Sequence, residues 1–188
     1  MSEAAGSVGC MTSTVYYVAS SIDGFIADRD GRLDWLLEFG MEDFSPHYEA
    51  FLENVGVVVM GSTTYEFVLG EGLEAWPYDG RQTRVLTHRD LPVAVEGADI
   101  RFESGDVVDL HAEWVEAAAG RDVWIVGGGA IAAALADAGL LDVLDLTIMP
   151  VALGEGAPLL PLAGTRALEV QATTTYPSGA VGVTSRLT

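Results

Sequence analysis

The sequence predicts one α/β domain built as a three-layer sandwich, with helices on both faces of a mostly parallel sheet. Short apolar runs typical of buried strands alternate with segments of helical spacing, whereas the last two strand-like segments follow each other directly. The chain has 188 residues, 49% of them hydrophobic, which is enough for one sizeable core. We therefore assign residues 12–188 to a single domain and expect residues 1–11 to be a disordered leader.

Strands are predicted where apolar and β-branched runs are bounded by turn residues. The run at 57–60 is continuously apolar and ends at Gly61, which is typical of a strand buried on both faces. The Thr- and Val-rich tail around Pro177 and Gly179 predicts a closing antiparallel hairpin. In chain order the predicted strands cover residues 15–19, 57–60, 84–87, 98–102, 123–126, 144–149, 167–176 and 180–187.

Helices are predicted from apolar residues three and four positions apart and from helix-favouring composition. Ser45 as N-cap and Pro46 in the first turn mark the start of one helix, and Gly139 marks the end of another. In chain order the predicted helices cover residues 44–55, 63–68, 109–119 and 130–138.

Charge and composition narrow the classes of function. With 28 acidic and 9 basic residues the formal net charge is -19, so the surface repels nucleic-acid phosphates and anionic lipids. We expect no nucleic-acid partner and no membrane partner, and no apolar run reaches the roughly 18 residues of a membrane span. The single cysteine, Cys10, fits the reducing cytoplasm, which is the predicted location.

Several catalytic chemistries lack their motifs in this sequence. His47, His88 and His111 stand apart from cysteines and paired carboxylates, so no metal site is predicted. A Walker A sequence, a G-x-S-x-G elbow and the zinc-deaminase pattern are also missing.

The strongest local signal is a strand that runs into Gly127, Gly128 and Gly129 and continues as a helix. Such a turn presents backbone N–H groups at a helix N-terminus, where an anion binds well, although a tight turn without a ligand has the same pattern. The stretch also matches G-x-G-x-x-A through Ala132, the dinucleotide fingerprint of Rossmann folds. That fingerprint needs an acid about 20 residues later, at the end of the next strand, and here that strand ends in apolar residues before Pro150.

Six motifs together resemble the dihydrofolate-reductase-like family, in particular its bacterial members similar to the reductase domain of the riboflavin-biosynthesis deaminase/reductase. The resemblance spans residues 14–187 and follows the family's order. The motifs are SIDGFIA at 21–27, DW at 34–35, VMGSTTYE at 59–66, VLT at 85–87, VGGGA at 126–130, and Pro150 with GEGAPL at 154–159. The resemblance implies a three-layer sandwich of dihydrofolate-reductase-like type, NADPH as cofactor, a small-molecule substrate and a homodimer.

The resemblance also implies which residues bind the cofactor. Backbone groups of Ala19 and Ile26 would hold the nicotinamide carboxamide, and the turns after Gly61 and Gly127 would hold the diphosphate from two sides. A helix-capping Ser/Thr cluster is the alternative explanation for residues 62–64. The full predicted set is Ala19, Ile26, Gly61, Ser62, Thr63, Thr64, Thr87, His88, Arg89, Val126, Gly127, Gly128, Gly129, Ala130 and Ile131.

Two details of that site are expected from relatives. The peptide between Gly127 and Gly128 is expected to be cis, because it is cis in relatives. Ser62 stands where the family often has the arginine that selects NADPH, so His88 and Arg89, directly after Thr87, are the substitute cations for the 2'-phosphate. An ordinary exposed loop pair is the alternative for His88 and Arg89.

The substrate side is predicted from the region that lines it in relatives. We predict Asp23 and Asp34 as catalytic residues, and Trp35, His47 and Glu49 as substrate-binding residues. A helix-capping acid beside a core aromatic is the alternative for Asp34 and Trp35.

The predicted function is NADPH-dependent reduction of a small heterocyclic substrate, most like 5-amino-6-(5-phosphoribosylamino)uracil. A true dihydrofolate reductase is one alternative, but the family's tyrosine just beyond the three glycines is replaced by Ala132. A nucleotide-binding module without turnover is the other alternative.

Overall fold

The computed structural model describes residues 12–188, so the predicted leader and Cys10 lie outside the described residues. The strands are β1 (Thr14–Ser21), β2 (Phe25–Asp28), β3 (Val55–Gly61), β4 (Gln82–Leu86), β5 (Ile100–Glu103), β6 (Asp122–Gly127), β7 (Val143–Met149), β8 (Gly156–Pro158), β9 (Leu168–Thr175) and β10 (Val181–Leu187). The helices are α1 (Asp34–Leu37), α2 (Ser45–Glu53), α3 (Ser62–Gly70), α4 (Val107–Ala118) and α5 (Gly129–Asp137).

Eight strands of the described chain form one sheet in the order β5-β4-β3-β6-β1-β7-β10-β9. The six strands from β5 to β7 pair in parallel, and β10 pairs antiparallel with both β7 and β9. The carboxyl ends of the parallel strands therefore lie at one edge of the sheet, where ligands bind in open α/β sheets. The predicted mostly parallel sheet with an antiparallel C-terminal hairpin is confirmed.

The side chains of the central strands alternate between two hydrophobic cores, one on each face of the sheet. Val57 and Val59 point to the face where Trp114 of α4 and Leu135 of α5 pack. Val58 and Met60 point to the opposite face, where Tyr65 of α3 and the aromatic residues of α2 pack. Two helical layers thus enclose the sheet, as the three-layer prediction requires.

The predicted strands and helices are all present within two residues of their predicted bounds. The prediction that Ser45 caps α2 is wrong: Phe44 is the N-cap, and the Ser45 hydroxyl donates to the Met41 carbonyl oxygen at 2.8 Å. The predicted helix also overran into the next strand, because Val55 is already a fully buried residue of β3.

Three short elements were not predicted, namely α1, β2 and β8. Strands β2 and β8 form a separate antiparallel ribbon in which Ala27 pairs with Ala157. Strand β9, at the edge of the main sheet, is exposed over its whole length. No helix in residues 12–188 is both long enough and apolar enough to cross a membrane.

Candidate functional site

The two predicted phosphate-binding turns lie side by side at the carboxyl edge of the sheet. Strands β3 and β6 are parallel neighbours, and Met60 pairs with Gly127 in their register. Helix α3 begins directly after β3 at Ser62, and α5 begins at Gly129 after β6. The sequence motifs around Gly61 and Gly127 are thereby brought together in space.

No side chain caps the N-terminus of α3 or that of α5. The N-cap residues are Gly61 and Gly128, and neither helix has a side-chain capping hydrogen bond. Ser62 is the first helical residue of α3, so the alternative of a Ser/Thr capping cluster is wrong. First-turn amides and the positive ends of two helix dipoles therefore face the same edge of the sheet, where a diphosphate would be stabilised.

The turns are held together by contacts that leave no room for larger side chains. A Cβ atom on Gly127 would lie 2.6 Å from the hydroxyl oxygen of Thr64. One on Gly129 would collide with the carbonyl oxygens of Pro158 and Leu159. The triple-glycine motif is therefore packed against both the 61–64 turn and the end of β8.

The expected cis peptide between Gly127 and Gly128 is not found. The peptide bonds of residues 12–188 include no cis bond. The chain turns instead through Gly128, whose φ of 92° lies in the left-handed region that glycine adopts without a steric penalty.

A cavity of about 310 Å³ adjoins the first turn, beyond β3 in the direction of β5. Arg89 borders it, but the Arg89 guanidinium makes a two-pronged ion pair with Glu66, with N···O distances of 2.9 and 2.7 Å. The backbone N–H of Arg89 also donates to the Thr87 hydroxyl at 2.9 Å, which fixes the loop. The lining residues are Ser62, Leu86, Thr87, His88, Arg89, Glu103, Ser104 and Gly105.

Glu103, the second acid near Arg89, is already fully engaged. One of its carboxylate oxygens accepts from Nη1 of Arg84 at 2.8 Å, and the other accepts from the indole N–H of Trp114 at 2.8 Å. The Arg84 side chain is only 7% exposed. Glu103 therefore belongs to a neutralised, largely buried pair, and it adds little net charge to the cavity.

Asp23 joins the loop after β1 to the loop after β7. Its carboxylate accepts hydrogen bonds from the Ser21 hydroxyl at 2.6 Å and from the amides of Leu153 and Gly154 at 3.1 and 2.7 Å. These hydrogen bonds, led by that of Ser21, lower the pKa of Asp23 from 3.8 to about 2. A carboxylate that stays ionised cannot donate a proton near neutral pH, so the geometry favours a structural role over the predicted catalytic one.

His47 on α2 faces an acid in the middle of the sheet. Its Nε2 lies 3.2 Å from Oδ2 of Asp145 on β7, and the same oxygen lies 3.4 Å from the hydroxyl of Thr184 on β10. The Asp145 side chain is 14% exposed and that of His47 is 37% exposed. The pair thus joins a largely buried carboxylate to an imidazole that solvent can reach.

This pair lies on the same face of the sheet as Ala19. Tyr17 pairs in register with Asp145, and Ala19 pairs with Thr147, two residues further toward the carboxyl edge. Burial, reinforced by the charge of Asp145, raises the pKa of Tyr17, which therefore stays protonated. Ile26, the other predicted carboxamide contact, is half-buried on β2.

The remaining predicted substrate residues do not gather around His47. Glu49 is exposed on the outer side of α2, because two residues along a helix turn the side chain away from the face of His47. Asp34 is exposed in the first turn of α1 and caps nothing, since Leu33 is the N-cap. Trp35 is half-buried, and its indole nitrogen is enclosed without a hydrogen-bond partner.

Three residues of interest were not predicted as site residues: Glu66, Glu103 and Asp145. Asp145 carries a detectable signal, because a charge inside the mostly apolar run of β7 needs a partner if it is buried. Glu66 and Glu103 carry none, since their importance comes from Arg89 and the cavity, which are distant in sequence.

Comparison with known proteins agrees with the fold. A Bacillus subtilis (strain 168) protein, the uncharacterized YwjB, is 32% identical over 146 residues, covering 78% of this chain and 81% of its own. A Shewanella sp. PV-4 crystal structure, given as that of a candidate riboflavin biosynthesis protein, has a TM-score of 0.81 at 27% identity and covers 94% and 99% of the two chains.

Dihydrofolate reductase from Enterococcus faecalis, complexed with NADP(H) and RAB-propyl, shares the fold. Its TM-score is 0.62 at 22% identity, with 95% of this chain and 97% of that chain covered. The family described as the RibD C-terminal domain matches residues 13–181. The chain thus has a dihydrofolate-reductase-like fold and belongs to the RibD C-terminal domain family.

Proposed function

We propose that this protein is an NADPH-dependent reductase of a small heterocyclic substrate, most like 5-amino-6-(5-phosphoribosylamino)uracil of riboflavin biosynthesis. The observation that carries the proposal is the pair of uncapped helix N-termini at the adjacent ends of β3 and β6. Membership of the RibD C-terminal domain family supports the reductase class, and a protein of the same fold binds NADP(H).

The order of features along the sheet edge supports a dinucleotide in particular. The cavity lies at the ends of β5, β4 and β3, the two uncapped helices lie at β3 and β6, and Ala19 lies on β1. Five neighbouring strands span about 19 Å at the usual spacing of roughly 4.8 Å. An adenosine, a diphosphate and a nicotinamide can follow that edge in the same order.

The fit is chemical as well as spatial. Amides of Ser62 and Thr63 on α3, and of Gly129 and Ala130 on α5, would donate to diphosphate oxygens. This suits a chain with a net charge of -19, in which backbone dipoles must replace scarce cations. When bound, the nicotinamide would supply a hydride to the acceptor, and the protein would contribute position and a proton.

We propose His47 as the source of that proton. An acceptor placed beside Ala19, on the face covered by α2, would lie near His47, which is exposed enough to exchange protons with water. Asp145 would act as a positioning residue that holds the Nε2 side of the imidazole and leaves the Nδ1 side for the substrate. Asp23 and Asp34 are then not needed as acids.

The two alternatives differ in whether NADPH is oxidised and with which acceptor. A dihydrofolate reductase would oxidise NADPH with dihydrofolate, and a nucleotide-binding module would bind NADPH without oxidising it. The buried Ala132, which replaces the family's tyrosine, is the observation that favours the nucleotide-binding module.

The test has two steps on the same protein sample. NADPH binding is measured first by calorimetry, and pyrimidine and pterin acceptors are then screened for loss of NADPH absorbance. Turnover with an aminopyrimidine but not with dihydrofolate is the expected result. Turnover with dihydrofolate alone supports the folate enzyme, and tight binding without turnover of either class supports the module.

We also propose a cytoplasmic homodimer, from the resemblance of the chain to its family. Strand β9, whose residues are all exposed, is one open edge of the sheet at which a second copy would gain backbone hydrogen bonds. Sedimentation equilibrium measures the mass in solution, and a monomer at all concentrations would contradict the dimer.

A further inference from the structure

Arg89 is the cation best suited to select a cofactor at the cavity, because it borders the cavity and carries a permanent charge. A dinucleotide with a 2'-phosphate differs from one without it by this charged group on the adenosine ribose. Ser62 and Thr87 offer hydroxyl groups beside the same cavity, but neither offers charge. Discrimination between NADPH and NADH therefore depends strongly on whether the Arg89 guanidinium is available to bind the 2'-phosphate.

Arg89 is already held by another anion. Both terminal nitrogens of its guanidinium bond the two oxygens of Glu66, at 2.9 and 2.7 Å. These two N–H donor groups are the same ones that would form a bidentate contact with a phosphate. Glu66 lies one helical turn after Ser62, so its carboxylate is on the face of α3 that leads to the cavity. A 2'-phosphate and Glu66 would compete for one pair of donors.

Glu103, an acid that lines the cavity, does not shift this balance. Glu103 is neutralised by Arg84 and hydrogen-bonded to Trp114, so it is not free to take over Arg89. The Arg89 and Glu66 side chains are both substantially exposed, at 55% and 43%, so their pairing can exchange without a rearrangement of the core. The net charge of -19 further disfavours the more anionic cofactor.

We propose that Glu66 is a specificity-determining residue that competes with the cofactor 2'-phosphate for Arg89 and so keeps the preference for NADPH over NADH small. This inference rests on the dinucleotide function proposed above. Glu66 need not touch the cofactor: it acts through the availability of the Arg89 guanidinium.

The test is a double-mutant cycle read by the dissociation constants of NADPH and NADH in calorimetry. Glu66→Gln removes the competing charge, Arg89→Ala removes the cation, and the double variant combines them. Glu116→Gln, an exposed acid on α4, serves as the control for a general change in net charge. Thermal unfolding of each variant confirms that it is folded before titration.

We expect Glu66→Gln to tighten NADPH binding by about 2- to 5-fold, the size of effect that exposed ion pairs produce, and to change NADH binding less. The gain should disappear in the Arg89→Ala background and should shrink at high salt. An unchanged ratio of NADPH to NADH affinity in Glu66→Gln would overturn the inference, as would a gain that persists without Arg89.

The cycle separates this inference from the function on which it rests. If wild-type protein binds neither dinucleotide, the proposed function fails and the inference fails with it. If wild-type protein binds both dinucleotides and Glu66→Gln leaves their ratio unchanged, the function stands and only the role of Glu66 is refuted.

Discussion

The side chain of Thr64 lies against the α-carbon of Gly127. A Cβ atom added to Gly127 would lie only 2.6 Å from the Thr64 hydroxyl oxygen. The contact joins the first turn of α3 to the end of β6 and so sets the spacing of the two uncapped helix N-termini. The motif around Gly61 and the triple glycine are therefore in direct contact.

Gly127→Ala should strain this junction. The added methyl group would press on the Thr64 hydroxyl, and overpacking of this kind costs about 1–3 kcal/mol in free energy of unfolding. Urea unfolding measures the loss. The double variant Thr64→Ala/Gly127→Ala removes the clashing hydroxyl and should recover most of it, whereas equal instability of the single and double variants would contradict the proposed contact.

Asp23 should make the stability of the fold depend on acid pH. Its folded-state pKa of about 2 lies below the unfolded value of 3.8, so its contribution is complete above the unfolded pKa and is lost as the pH falls toward 2. The difference in unfolding free energy between wild type and Asp23→Asn should therefore be constant near neutral pH and should narrow as the pH falls from about 4 toward 2. A difference in unfolding free energy that stays constant over that acidic range would show that the carboxylate does not accept the hydrogen bonds of Ser21, Leu153 and Gly154.

The His47 and Asp145 pair predicts separable kinetic effects. His47→Gln should lower kcat about 100-fold, as loss of a general acid typically does, with little change in KM. Asp145→Asn should lower kcat about 10-fold because the imidazole loses its orientation while the proton donor remains. Glu53→Gln, an exposed acid on α2, is the matched control. Loss of NADPH affinity in either variant, without a fall in kcat, would rule out the proton-donor role.

The buried pair of Arg84 and Glu103 should matter for stability. Glu103→Gln leaves the guanidinium of Arg84 buried without its counter-charge, and breaking such a pair costs about 3–5 kcal/mol. Glu66→Gln breaks an exposed ion pair and should cost much less. Chemical denaturation compares the two, and equal costs would show that the Arg84 and Glu103 pair is not shielded from solvent.

The architecture was predictable because buried strands and amphipathic helices carry their periodicity in the sequence. The run of β3 and the helix after the triple glycine illustrate this, since apolar patterning and glycine placement determine both. The ribbon of β2 and β8 was not predictable, because three- and four-residue strands held by one another leave no periodic signal.

The candidate site was predictable only in part, and for a physical reason. Sites formed by the backbone, such as the Gly61 and Gly127 turns, can be predicted from the local sequence, because only small residues allow their geometry. Side-chain sites depend on contacts between residues far apart in the chain, as between His47 and Asp145 or Glu66 and Arg89. The role of Asp23 in joining two loops could not be predicted either, because its partners Leu153 and Gly154 are far from it in the sequence.

NADPH binding at the two turns is tested most directly by titration of the folded protein with NADPH, compared with a variant that places a negative charge at the turns. Ala130 is exposed in the first turn of α5, where an acid favours the helix dipole but repels a diphosphate. Wild type should bind NADPH, and Ala130→Asp should weaken binding at least about 10-fold, a modest penalty for like charges in contact. Ala50→Asp, the same change on the exposed side of α2, should leave binding intact. A folded wild-type protein that binds neither NADPH nor NADH, or an Ala130→Asp variant that binds NADPH as wild type does, would show that the two turns are not a dinucleotide site.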